Sequence, residues 1–373
     1  MKMTKPKILV TSAVGRTGAP TVMELLANGY PVRAFVRRRD ARAEALERAG
    51  AELFIGDMFD YRDVSMALDD VQRAYHCPPF APNLLHNAAV FALAAESAKL
   101  EVVALLSQWL PSPTDPSFVT REHWLANNLY RWMPSVDVVH VNPGLFAFVY
   151  LLGLPAIAHL GMLAAPFGNG LNAPPSNEDI GRVAAGVLMN PGPHIGKSYR
   201  PTGPKLLCPA DIAATLAKVL GRNVKYRDVP FKMFLKAAMA QGFPLSEMSQ
   251  MRYYAEALKG GAFELGAPTD HVEKVTGAPP EDFENIARRY MANPALIHPS
   301  LKLGSKLDAF AFVLRMLGTR PADVHAYERE QGYPLLKNPV HANDNPDWRA
   351  SAERSELHLL EQTDAPQPVR AVV

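Results

Sequence analysis

The sequence has little of what several functional classes require. Two cysteines occur in 373 residues, Cys77 and Cys208, with no C-x-x-C pair and no His/Cys spacing. A disulfide framework and a thiolate metal site are therefore not expected, and a reducing, cytoplasmic setting is. None of the 11 histidines stands in H-x-x-x-H or H-x-x-E-H spacing, so no metal is expected either. No G-x-S-x-G nucleophile elbow is present. Charge of one sign is missing: 39 basic and 37 acidic residues leave +2, which offers no field for nucleic acid. A continuous apolar run is missing as well. Asp137 to Glu178 encloses no Asp, Glu, Lys or Arg, but Gly153, Pro155, Gly161 and Pro166 interrupt it. A span needs ~20 apolar residues, so this stretch is expected to be buried or pocket-lining, with shallow membrane contact as the alternative to a span. The lysines and apolar residues of Met1 to Val14 are met at once by Gly15, Arg16 and Gly18, which favours a first strand over a signal peptide. Proline is in excess, 33 of 373 residues, against roughly 5% in average proteins, and predicts many turns.

What is present is an alternation of short apolar strands and amphipathic helices. Strands are expected at Ile8 to Thr11, Val32 to Val36, Glu52 to Ile55, Val71 to Tyr75, Val102 to Leu106 and Val136 to Val141. Helices are expected between them at Pro20 to Asn28, Ala41 to Ala49, Val64 to Leu68, Leu84 to Lys99 and Thr120 to Trp132. This order predicts an α/β fold, a doubly wound parallel sheet with helices on both faces. Residues 1–170 are read as this domain, its sheet partly completed by later segments. Residues 171–294 form a smaller, mostly helical substrate lobe interleaved with it, and 295–373 a C-terminal helical extension with a partly ordered tail from Asn338. The helix from Leu301 to Leu317 is apolar enough to be an interface, a lid or a layer on its own lobe, so oligomeric state stays open.

Three motifs carry chemistry. Thr11-Ser-Ala-Val-Gly15-Arg16-Thr17-Gly18 joins the first strand to the first helix, with Ser12 in the first glycine place of a G-x-x-G-x-x-G turn. Such a turn lets the backbone and the helix N-terminus approach a pyrophosphate. The second strand ends in Arg37-Arg38-Arg39 rather than in the acidic residue that would bind a ribose 2′-hydroxyl, and Asp40 comes late in the turn. Guanidinium groups there favour a 2′-phosphate, hence NADP(H) over NAD. Asp57 and Met58 follow the third strand, where a carboxylate can accept from an adenine amino group and a thioether can pack on the ring.

On these residues the chain resembles the NmrA-like branch of the atypical short-chain dehydrogenases/reductases. The resemblance runs from about Lys7 to Ala292. It also rests on Val32-Arg-Ala-Phe-Val-Arg37, Val141-Asn-Pro-Gly-Leu-Phe146, Tyr199-Arg-Pro-Thr-Gly-Pro204, Pro209-Ala-Asp-Ile-Ala213 and Val275-Thr-Gly-Ala-Pro-Pro280. It implies a Rossmann domain in which Pro78, Pro79 and Ser107 border the nicotinamide ribose, and Pro143, Gly144, Leu145 and Phe146 approach the nicotinamide ring. His123 falls near the place where relatives carry a lysine or another polar residue. The superfamily's Tyr-x-x-x-Lys pair is absent; its one match, Tyr333 to Lys337, lies in the extension beside Pro334.

Without that pair, His123 is the first candidate proton donor, Tyr130 two turns on is a second, and Ser107 positions substrate or ribose. The charge-free stretch, with Phe146, Phe148, Tyr150, Leu151, Leu154 and Met162, is expected to line a cleft for a small apolar or aromatic substrate. The expected activity is NADPH-dependent hydride transfer to an aromatic or conjugated quinone-, enone- or carbonyl-type molecule. The alternative is a catalytically silent NADP(H)-binding sensor or regulator.

Overall fold

The structure, a computed structural model, describes residues 5–80, 83–298 and 301–354. Its strands are β1 (Ile8–Val10), β2 (Val32–Val36), β3 (Glu52–Ile55), β4 (Arg73–His76), β5 (Val102–Leu106), β6 (Asp137–Val141), β7 (Met162–Ala165), β8 (Ser198–Tyr199) and β9 (Lys225–Asp228). Seven of them form one parallel sheet in the order β3-β2-β1-β4-β5-β6-β8. The chain leaves β1 towards β3 and returns through β4, so Val10 pairs with both Ala34 and Tyr75 and a crevice opens at the carboxyl ends of β1 and β4. In open α/β sheets, that switch point is where ligands bind.

Both faces of the sheet are covered, which is why β1 and β2 are buried along their whole lengths. One face is packed by α1 (Gly18–Ala27), α2 (Ala41–Arg48) and, from later in the chain, α6 (Asn177–Met189). The other is packed by α3 (Tyr61–Ala67), α4 (Leu84–Ala98) and α5 (Phe118–Arg131). The α1–α6 contact is backbone to backbone. A Cβ at Gly181 would stand 2.6 Å from Pro20 Cβ and 2.9 Å from Thr21 N.

The second core belongs to α7 (Pro209–Leu220), α8 (Phe231–Ala240), α9 (Leu245–Lys259) and α11 (Phe283–Ala292), together with the parallel pair β7–β9, while α10 (His271–Thr276) packs on α6 in the sheet-side core through Val272. Strand β7 lies in the charge-free stretch and was not expected from the sequence. It pairs Met162 with Lys225 through Ala165 with Asp228.

The extension is α12 (Lys306–Gly318), α13 (Val324–Glu330) and α14 (Pro346–Arg354). Helix α12 starts later than expected because Ser305 and Asp308 form a capping box. It packs on its own lobe through Ala309 and Phe312, leaving Leu307, Phe310, Leu314 and Leu317 exposed. The segment after Asn338 is tied to the loop following β5. Val340 N donates to Thr114 O at 2.8 Å, and Trp348 Nε1 donates to Pro111 O at 3.3 Å. Residues 355–373 lie outside the described residues. Among the described residues no helix is long and apolar enough to cross a membrane.

Two buried polar features set the stability. Arg252 on α9 and Glu328 on α13 are 2.6 Å apart with side chains only 10% and 4% exposed. Glu328→Gln leaves a buried guanidinium uncompensated and is expected to cost about 3 kcal/mol, read by urea denaturation; a loss below about 1 kcal/mol would contradict the pairing.

His76, His123 and His140 are the second feature. Burial drives each to a pKa of about 3, with His76 adding to the effect at His123 and Arg131 at His140. An unfolded histidine titrates near 6.5, so between these values the unfolded chain binds more protons and stability falls as pH drops. Three such groups give a slope of about 4 kcal/mol per pH unit below pH 6.5. Denaturation midpoints between pH 7 and pH 5 measure it, and His123→Asn is expected to remove about a third of the slope.

Candidate active site

The nucleotide half is built on the turn after β1. Ser12 adopts φ +47, the left-handed conformation of the glycine it replaces. Its carbonyl accepts from Gly15 N at 2.7 Å. A Cβ at Gly15 would lie 2.8 Å from that oxygen, and one at Gly18 closer still, so only glycine fits either place. No side chain caps the start of α1, which leaves its first N–H groups and its dipole facing the crevice. The neighbouring hydroxyls are used internally. Thr11 Oγ1 accepts from Cys77 N at 2.8 Å, Thr17 Oγ1 accepts from Tyr75 Oη at 3.0 Å, and Ser12 Oγ donates to Cys77 O at 2.8 Å. These bonds clamp the turn to the end of β4. Arg16 reaches the lobe instead: Nη2 donates to Ile297 O at 3.2 Å and the guanidinium lies 4.2 Å from the centre of the Phe148 ring.

Arg37, Arg38 and Arg39 are exposed at the end of β2. Arg39 pairs with Glu44 and Glu47, and Arg38 lies 3.8 Å from Asp40. Arg37 has no ion pair among the described residues. Asp40 caps α2, and its bonds from Arg42 hold its pKa down to about 2. That employment removes it as a ribose ligand. Asp57 accepts from Phe59 N at 2.9 Å, and Met58 Sδ lies 4.0 Å from Ser12 Oγ, so the adenine-side pair adjoins the turn.

The other half lies at the ends of β4, β5 and β6. Pro78 is buried and Pro79 half-buried. Ser107 N donates to Val141 O at 2.8 Å, but Ser107 Oγ is buried without a partner, as are Gln108 Nε2 and Asn142 Oδ1. All three belong to residues that directly follow the carboxyl ends of β5 and β6, where a bound ligand would supply partners. Pro143, Gly144 and Leu145 are buried beside them; a Cβ on Gly144 would meet Phe263 at 3.4 Å and Trp109 at 3.5 Å. Phe146 meets Phe148 edge-on at 5.8 Å.

An open cleft adjoins Gln108, walled by Trp109, Tyr253, Tyr254 and Phe263 and carrying Gln108, Asp115, Thr120, His341 and Asn343 as polar groups. Phe80 joins the same wall, 6.1 Å from Tyr254. The residues expected to line a cleft do not line this one. Tyr150, Leu151 and Leu154 are folded into the lobe core by a tight helical turn, and Tyr150 Oη accepts from Asn172 Nδ2 at 3.3 Å. Trp109 lay three residues beyond a predicted strand end and was accessible to sequence reasoning. The wall from α9, Phe263 and His341 was not, because its contacts join residues far apart in the chain.

His123 and Tyr130 are both buried on α5. Tyr130 Oη is bonded to His76 Nδ1, whose other nitrogen donates to Asn87 Oδ1 at 3.0 Å, so the phenol is committed to the core. His123 is a neutral imidazole at physiological pH.

The glycine cradle, the uncapped helix, the unpaired Arg37 and the orphaned polar atoms fit a phosphorylated dinucleotide lying across the sheet. The comparisons agree with that geometry. A profile of the NmrA-like family matches residues 4–103. An NAD(P)H azoreductase from Xenophilus azovorans is 30% identical over 287 residues, which cover 76% of this chain and 98% of that protein. The NADPH-dependent quinone oxidoreductase of Escherichia coli, solved with NADPH, superposes with a TM-score of 0.64 at 25% identity, over 76% of this chain and 99% of that one. NmrA, a negative transcriptional regulator solved with NADP, shares the fold with a TM-score of 0.64 at 20% identity, over 77% of this chain and 95% of that one. A turn that admits only glycine, followed by the whole length of such a relative, makes this chain a member of the NmrA-like family.

Proposed function

We propose that the protein is an NADPH-dependent oxidoreductase acting on a small aromatic or conjugated acceptor of the quinone, enone or carbonyl type. The observation that carries this is an aromatic cleft beside the dinucleotide crevice: Gln108, whose Nε2 has no partner, lines the cleft and follows Ser107 after the end of β5. The azoreductase and quinone oxidoreductase relatives support the same reaction class.

In this reading the N–H groups opening α1, from Arg16 to Gly18, hold the pyrophosphate, with Thr11 and Ser12 shaping the turn behind them. Arg37, flanked by Arg38, holds the 2′-phosphate. Asp57 and Met58 border the adenine, and Pro78, Pro79 and Ser107 the second ribose. Pro143 to Phe146 form the surface on which the nicotinamide rests. Bound NADPH supplies the hydride. The aromatic wall keeps the acceptor flat against that surface and excludes water, which is chiefly orientation rather than acid catalysis. Ser107 is the proposed polar contact at the reacting end, while Tyr130 acts at one remove by holding His76 at the end of β4 and His123 is buried on α5. Their burial is also what favours the silent-regulator reading, since neither is a ready proton source.

The two readings separate on NADPH oxidation, followed by its near-ultraviolet absorbance, against a panel of quinones, enones and azo dyes. Turnover of at least one class is expected; tight NADPH binding with none would establish the regulator. Arg37→Ala is expected to weaken NADPH binding by roughly 10- to 100-fold through loss of a charge-assisted contact, while leaving NADH nearly unchanged. Equal losses for both cofactors would remove the 2′-phosphate from Arg37.

A further inference from the structure

We propose that the C-terminal extension completes the acceptor site: His341, held by Asp115, and Gln108 form a donor wall that binds the carbonyl oxygen or azo nitrogen of an aromatic substrate and protonates it. This rests on the oxidoreductase reading.

The pair is assembled across 226 residues of chain. Val340 and Thr114 are joined twice, by Val340 N to Thr114 O at 2.8 Å and by Thr114 Oγ1 to Val340 O at 3.1 Å. The next residue of each strand is then His341 or Asp115. Asp115 Oδ1 accepts from Ser117 N at 2.8 Å, and Oδ2 accepts from His341 Nδ1 at 3.2 Å. Arg121 Nη1 fixes the same loop through Asp115 O at 2.6 Å. With Nδ1 spent, Nε2 is the remaining ring nitrogen. The imidazole is 17% exposed and borders the cleft. Gln108 Nε2, on the same cleft, is sealed from solvent with nothing to bond. One sealed donor, Gln108 Nε2, and one imidazole nitrogen, both on a cleft walled by aromatic rings, suit a flat molecule with an acceptor atom at its edge.

Charge also favours donation. Burial alone would lower the His341 pKa, but Asp115 outweighs it, with Glu256 of α9 and Asp344 of the extension adding to the rise. Of the other titratable groups near this end of the cleft, Tyr253 and Tyr254 have pKa values raised by burial and stay neutral, and Arg121 belongs to the Asp115 loop. The step balances. Hydride brings two electrons and one proton's mass to the acceptor, its π pair moves onto the heteroatom, and that atom takes the Nε2 proton. NADP⁺ and the reduced acceptor leave, and His341 regains a proton from water.

The test uses the full chain and two probes, duroquinone and its acceptor-free isostere durene, titrated by tryptophan fluorescence without cofactor. The wild-type protein is expected to bind duroquinone roughly tenfold more tightly than durene near pH 6, and to lose that preference as pH rises through the His341 pKa. His341→Gln is expected to reduce the preference to about twofold with durene affinity unchanged, which separates a donor from a mere wall. Asp115→Asn keeps the geometry but removes the charge that raises the pKa. It is expected to move the pH at which preference is lost, and the same limb of the kcat/KM profile, down by about one unit. Equal binding of both probes, or a preference and midpoint indifferent to both variants, overturns the donor wall. A wild-type protein that shows the preference but oxidises no NADPH keeps the wall as a binding site and loses the oxidoreductase reading.

Discussion

The Ser12 carbonyl leaves no room for a side chain at Gly15 or Gly18, and the nucleotide half of the molecule is arranged around that crowding. Because the turn is this tight, α1 begins directly over the end of β1 with its first N–H groups uncapped. Because α1 sits there, α6 must approach it at Gly181, where the two backbones touch. The hydroxyls of Thr11, Ser12 and Thr17 are then drawn to the end of β4, which fixes where Cys77 to Pro79 cross the crevice. A Cβ placed at either glycine would disturb more than a phosphate contact, since the same oxygen sets the register between turn, helix and sheet.

The cleft beyond the end of β5 is held by a different device. The loop after β5 has few apolar residues with which to anchor itself, and its shape is imposed from outside. Trp109 donates to Ala262 O at 2.7 Å, Ser117 Oγ donates to Gln250 Oε1 at 2.9 Å, and the extension binds Pro111, Thr114 and Asp115. The extension is in turn anchored by Glu328 on Arg252. Such a loop gains rigidity only when distant chain is already in place. A family member ending near residue 292 would need other contacts there, so variation in the extension is a direct route to variation in the cleft.

The difference between these two devices explains what could be read from the sequence. The strands from Ile8 to Val141 and the turn at Gly15 and Gly18 are local patterns, in which apolar β-branched runs and forced glycines state their own conformation. Arg37 is a local feature of the same kind, an exposed cation at a strand end. The charge-free stretch was misleading because burial in a core and burial in a cleft demand the same residues. Tight turns at Ala147–Leu151 and the strand β7 settled Tyr150, Leu151 and Leu154 into the core. The wall of the cleft combines Trp109, Tyr254, Phe263 and His341, and no periodicity links positions so far apart.

Histidine shows how far environment, rather than residue type, decides the chemistry. No carboxylate offsets the burial of His76, His123 and His140, and burial drives them to about 3. His76 is stacked 4.2 Å from Phe91 and serves as a neutral hydrogen-bonding strut. His341 is also withdrawn from water, but one carboxylate at 3.2 Å reverses the direction. Sequence reasoning favours the histidine nearest the family's polar position in the helix after β5. Electrostatics favours the one with an anionic partner, because a proton donor must first hold its proton near the working pH. A fold of this kind can therefore acquire an acid from any segment able to bring an imidazole and a carboxylate together at the cleft, and an added C-terminal segment can do so without disturbing the parallel sheet.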